Sequence, residues 1–212
     1  MVISESFRVA HYLSLKGAAD TQTVADATGL APEKVDEWAL ALQQENLLSW
    51  NTRPVSGWQL TAHGREQVRD HLGGALDTLQ RDKILRCYSH FNSLNTALLH
   101  TCTAWQALHI SSPVTPHDRS QALAPDDAMP ANRRAILNRL QEIDMAIQPT
   151  AAELAEVVTW LDQYPRRLSS AMTHINAGRV QWVASPLVDS YHTVWFELHE
   201  DLLALLGLQR SS

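Results

Sequence analysis

Glycine is scarce in this 212-residue chain, eight in all, and none of the eight clusters into a phosphate-cradling loop. There is no CxxC pair and no strand-to-helix nucleophile elbow of the GxSxG kind. No run approaches the roughly 18 consecutive apolar residues that a membrane span needs. Cysteine is limited to Cys87 and Cys102. On one helix, as the pattern around them suggests, their separation amounts to about 22 Å at 1.5 Å per residue, too far to bridge. Both are therefore expected as small buried core residues of a reducing compartment. The first ten residues carry Glu5 and Arg8 in an amphipathic pattern and lack an apolar signal core. The expectations that follow are negative in content: not an enzyme, no catalytic residues, no cofactor, no membrane partner, a cytoplasmic location.

What is present is the composition of an ordinary globular protein, with 45% hydrophobic and 19% charged residues and a formal net charge of −6. That length holds two small domains. The first is read over residues 1–75. Phe7, Val9, Ala10, Tyr12, Leu13 and Leu15 give the opening helix an apolar side, and Lys16-Gly17 closes it. Thr21 has the chemistry of an N-cap for a second helix over 22–28, and Gly29 ends it. Pro32 suits the first turn of a third helix, about 31–45, which buries Val35, Trp38, Ala39 and Leu42. Leu47 to Trp50 then reads as a strand, residues 51–56 as a polar tip containing Pro54, and Gly57 to Leu60 as the return strand. Thr61 caps the helix after it. Helix, tight turn, helix and hairpin predict a winged helix-turn-helix, three helices with a small two-stranded wing.

The stretch "LLSWNTRPVSGWQLTAHGRE" resembles the wing and following helix of the multiple-antibiotic-resistance-regulator-like (MarR-like) winged-helix proteins, whose sequence there runs strand, basic wing, strand and "LTxxGR". The resemblance covers about a third of the chain. It implies a regulator that binds double-stranded DNA as a homodimer; by their chemistry and their places on the third helix, the wing and the helix after it, Lys34, Gln43, Gln44, Thr52, Arg53, Arg65 and Arg69 are the candidate DNA-facing side chains. The charges speak against this. Between Met1 and Leu72 six basic residues stand against nine acidic ones, a net of −3. The third helix offers one cation, Lys34, beside Glu33, Asp36 and Glu37, and phosphates repel carboxylates. Winged helices also serve as protein-interaction modules.

Residues 76–212 are read as an all-α bundle used for ligand sensing or dimerisation. Ile84, Tyr88, Phe91, Asn95, Leu98, Cys102 and Trp105 step by four and three along one helix, with Asn92 close to that seam. A proline-rich loop over 111–130 contains His117, Asp118 and Arg119. A helix is expected from Asn132 to Ile147, punctuated by Pro149-Thr150. Another should run from Ala151 to Gln163, and one more from Pro165 to Gly178. Asp189-Ser190 caps the last helix, which Gly207 ends. That helix is apolar on two sides, so His192, Glu197 and His199 are expected in or beside packed surroundings, where a polar group needs a partner.

The segments "FNSLNTALLHTCTAWQ" and "PLVDSYHTVWFELHEDLLALLGL" resemble an all-helical actinobacterial domain that follows a winged helix in regulators and is similar to a region attached to pyruvate phosphate dikinase-like proteins. The likeness implies a regulatory or accessory domain. It departs after Gln106, where this chain has Pro116-His117-Asp118.

Two readings of the polar residues remain open. Asn95, Trp105, Gln106, Arg167, Tyr191, His192, Trp195 and His199 make a candidate small-molecule site, with Arg167 suited to an acidic ligand. Alternatively, they satisfy one another inside a helical core. A metal site at His192, Glu197, His199 and Glu200, joined by His117 and Asp118, is disfavoured: the histidines stand seven apart, about 10 Å along a helix, rather than four. The function expected is a DNA-binding transcriptional regulator whose C-terminal domain senses a small-molecule effector or dimerises. Its alternative is a protein-interaction adaptor or accessory domain for a metabolic enzyme.

Overall fold

The computed structural model describes residues 4–52, 56–74, 76–110 and 130–208. These are mainly helical, with one small three-stranded antiparallel sheet. In order they form α1 (Glu5–Lys16), β1 (Ala18–Ala19), α2 (Thr21–Thr28), α3 (Pro32–Gln44), β2 (Leu48–Asn51), β3 (Gly57–Leu60) and α4 (Ala62–Gly73). Then come α5 (Thr78–Ile110), α6 (Ala131–Val157), α7 (Gln163–Asn176) and α8 (Tyr191–Leu206), with 3-10 turns at Thr159–Asp162 and Val180–Trp182. The chain divides into two compact units. The first is Met1–Leu85 with Leu154–Gln163 and Glu197–Ser212; the second is Arg86–Glu153 with Tyr164–Phe196. The sequence reading instead divides the chain once, at residue 75.

In the first unit α1 packs against α2, α3, α4 and the sheet, burying Val9, Ala10, Tyr12 and Leu13. Its ends follow capping chemistry: the Ser4 hydroxyl accepts from the Phe7 amide, and Gly17, at φ 85°, donates back to the Leu13 carbonyl. The cap of α2 is Asp20 and not Thr21. The Asp20 carboxylate accepts from the Thr23 amide, which holds its pKa below the ordinary carboxylate range, and a full negative charge suits a helix N-terminus better than a hydroxyl. Thr21 instead donates to Asp36 at 2.5 Å. Thr61 caps α4 as its position suggests, accepting from the Gly64 amide.

The sheet order is β1-β3-β2, with Trp50 opposite Trp58 and Ala19 also opposite Trp58. The strand β1 carries no sequence signal, being two alanines that gain their extended form from β3. Two glycines make these approaches possible. Gly57 (φ 154°) lies so close to β1 that a Cβ would fall 2.4 Å from the Ala19 carbonyl carbon. At Gly64 a Cβ would fall 2.1 Å from the Leu47 carbonyl oxygen, against which α4 begins.

In the second unit the residues of α5, α6, α7 and α8 surround Phe91, Leu98, Cys102, Trp105, Ile143, Ile147, Tyr164, Tyr191 and Trp195, all buried. Two boundaries differ from expectation. Pro149 does not interrupt α6, which continues to Val157. A helical proline loses the bond its amide would have given four residues back; here that residue is Met145, 62% exposed. The break falls at Val158, whose extended backbone (φ −135°) leads into the 3-10 turn. Pro165 accordingly sits inside the first turn of α7 rather than opening it.

Replacing Gly64 by alanine is expected to destabilise the protein by about 3 kcal/mol, because the obstacle is backbone and cannot swing away. Denaturant unfolding of Gly64→Ala beside Gly73→Ala, where a Cβ meets nothing within 4 Å, measures it; equal midpoints would refute the clash.

Candidate functional site

Three groups of residues bear on function: the exposed face of α3 with the β2–β3 hairpin and α4, the polar side chains of the second unit, and a buried cluster in the first unit that the sequence does not announce.

On α3, Val35, Ala39 and Leu42 point inward, while Glu33, Lys34, Asp36, Glu37, Leu40, Gln43 and Gln44 are exposed. The Lys34 ammonium donates to Glu37 at 2.6 Å one turn away, and that carboxylate holds the amine more firmly protonated than usual. Trp38 donates its indole N–H to Glu5 at 3.0 Å. Thr52 is exposed just beyond β2, and Arg53 lies outside the described residues. Arg65 donates to the Leu60 carbonyl at 2.9 Å, tying β3 to α4, and Arg69 is exposed one turn further on. The cations expected to face DNA are thus outnumbered on α3 by carboxylates, and its one lysine is held by one of them.

In the second unit most of the candidate ligand residues are engaged with neighbours. Trp195 donates its indole N–H to the Asn95 side-chain oxygen at 2.9 Å and stacks on Phe91 with ring centres 4.5 Å apart. The buried Tyr191 hydroxyl donates to Asp144 at 3.2 Å, and burial beside that carboxylate pushes its pKa far above the ordinary phenol range. Arg167 is bonded bidentately to Asp189, at 2.9 and 2.6 Å, with its guanidinium 5.7 Å from the Tyr164 ring centre. Trp105 is buried under the Arg133 guanidinium, and Gln106 is exposed. His192 is half-buried, which lowers its affinity for a proton. His199 belongs to the first unit and the other seven to the second. Both cysteines are buried free thiols, as expected, and burial pushes Cys87 up to about 11 and Cys102 up to about 12. Such thiols are poor nucleophiles. Among the described residues no three His, Cys, Asp or Glu side chains come together as metal ligands; His117 and Asp118 lie outside those residues.

The cluster the sequence reading passed over lies in the first unit. His11 of α1 and Asp201 of α8 are hydrogen-bonded through Nε2 and Oδ1 and are almost wholly buried, 1% and 0% exposed. Trp160 donates its indole N–H to the same carboxylate oxygen at 3.4 Å. The Phe7 ring lies parallel to His11, with centres 5.7 Å apart, and Trp160 meets both edge-on. Two further pairs link α1 to the same C-terminal segments: Lys16 to the buried Glu197 at 3.1 Å, and Arg8 to Asp162 at 3.9 Å. One signal was available. Asp201 stands among Leu198, Leu202 and Leu205, and a carboxylate on an apolar helix face needs a partner.

Comparison with protein-family models, with curated proteins and with solved structures finds no match for this chain. Among the described residues no helix is long and apolar enough to cross a membrane.

Two outcomes are expected. Asp201→Ala strands a buried imidazole and a buried indole N–H and should cost about 3–5 kcal/mol of stability, whereas Asp201→Asn, which keeps an acceptor, should cost less; equal losses in thermal unfolding would deny the hydrogen-bonding role. Burial lowers the folded-state proton affinity of His192 below its unfolded value near 6.5. Less proton is then bound folded than unfolded, so stability declines as pH falls below about 6.5. His192→Gln should show a shallower decline of Tm between pH 7 and 5 than the parent chain, and parallel curves would exclude this contribution.

Proposed function

We propose that the chain is a DNA-binding transcriptional regulator, with its first unit a winged helix-turn-helix of the MarR-like kind and its second unit an all-helical module that dimerises or senses a small molecule. One observation carries this reading: the order α1-β1-α2-α3-β2-β3-α4 with sheet order β1-β3-β2. In it α2 and α3 are joined by a three-residue turn, and the paired strands β2 and β3 correspond to the wing. On this reading α3 enters the major groove. Gln43 and Gln44 are the groups suited to adenine edges, Thr52 and Arg53 touch backbone from the wing, and Arg65 and Arg69 of α4 add positive charge. A homodimer would double each contribution.

The electrostatics favour a second reading. A face with Glu33, Asp36 and Glu37, a lysine already bonded to one of them, and Leu40 at 52% exposure suits a protein partner presenting basic and apolar groups, such as a metabolic enzyme held by an adaptor.

The two separate in one titration. Fluorescence anisotropy of the purified chain on its own promoter region, with a random duplex as control, is run across a salt series. The regulator reading expects preference for the promoter that weakens as salt rises. Arg69→Ala should reduce the salt slope by about one, and Glu37→Gln should tighten binding by removing a repulsive charge. Absence of promoter preference even at low salt, in cell extract as well as with pure protein, would overturn it in favour of the adaptor.

A further inference from the structure

The segment that leaves α7 gathers three side chains that neither reading of the function uses. Gly178, at φ 83°, ends the helix by donating to the Ile175 carbonyl, and the Arg179 amide reaches back to the His174 carbonyl at 3.0 Å. The chain then turns through Val180–Trp182, where the Trp182 amide bonds the Arg179 carbonyl at 3.0 Å. This turn lays the Trp182 ring on the His174 imidazole, with centres 3.8 Å apart and 29° between the planes. A guanidinium N–H of Arg179 (Nη1) meets Nδ1 of the same imidazole at 2.6 Å.

That last contact fixes a protonation state. A guanidinium has only N–H donors and stays charged at any pH a protein meets. Nδ1 must therefore offer its lone pair, and the imidazole must be neutral with its proton on Nε2. A second proton on Nδ1 would remove the acceptor and set two cations 2.6 Å apart. Partial burial and the Arg179 charge both lower the proton affinity of His174, and among the described residues no other charged side chain bears on it. Two features nevertheless welcome an imidazolium where the ring stands. His174 lies in the last turn of α7, where the helix dipole favours a cation, and the face of Trp182 attracts one. Arg179 is exposed, and its side chain can swing into water without breaking the turn, whose bonds are backbone ones. The arginine is thus the group that acid displaces. We propose that His174 and Arg179 form an acid-released latch on this turn: the neutral imidazole holds the guanidinium, and protonation frees it while the imidazolium stays on Trp182. The bond opposes proton uptake, so the latch opens below the ordinary histidine value of about 6.5. In acid the end of α7 then presents a free guanidinium beside an imidazolium, whether or not the chain binds DNA.

The test is nuclear magnetic resonance of the full chain, with labelled histidine and arginine side chains, followed from neutral pH into acid. Near neutrality the His174 ring should be the Nε2–H tautomer with Nδ1 unprotonated. As pH falls, the Arg179 guanidinium resonances should move to those of a free arginine, with the same midpoint at which His174 takes up its proton. Arg179→Ala should raise that midpoint, and His174→Gln should leave Arg179 without a step. His192→Gln removes another histidine of lowered proton affinity and should leave the Arg179 step as it is in the parent chain. The Nδ1–H tautomer at neutral pH, Arg179 resonances that ignore the His174 titration, an unmoved midpoint in Arg179→Ala, or a step lost in His192→Gln would each overturn the proposal.

Discussion

A carboxylate removed from water needs compensation within ångströms, and Asp201, wholly buried among leucines of α8, finds it in His11 of α1 and in Trp160. Leaving such a charge unpaired costs several kcal/mol, a large share of the net stability of a domain this size. The partner is 190 residues away in the chain. The first and last helices therefore come together in one unit, and Lys16–Glu197 and Arg8–Asp162 repeat the same polarity, bases on α1 against acids from the C-terminal segments. The two outer pairs include a more exposed partner and are screened accordingly; the central one is sheltered by Phe7 and Trp160. The helix that organises the α2–α3 pair is thus held from behind by residues 154–163 and 197–208.

That constraint explains what could and could not be read from the sequence. The elements of the first seventy residues were legible because each is signalled locally. Gly17 and Gly29 end helices, Pro32 starts one, Thr61 caps one, and strands alternate around a polar tip. Elements defined by their neighbours were not legible: β1 exists only because β3 pairs with it, and His11 looks like one more residue on an apolar stripe until Asp201 is beside it. Pro149 shows the same limit from the other side, a local break signal overridden by a helix that packs before and after it.

The polar residues of the second unit illustrate why composition alone cannot separate a binding site from a core. Asn95, Tyr191, Trp195 and Arg167 are the residue types that line ligand pockets, aromatic walls with a few hydrogen-bonding groups. Here Asn95 serves Trp195, Asp144 serves Tyr191, and Asp189 takes both nitrogens of Arg167 that face it. The partners are separated by 100, 47 and 22 residues, so nothing local reveals that the groups complete one another. A bidentate Arg–Asp pair in particular holds the fork that an anionic ligand would otherwise use.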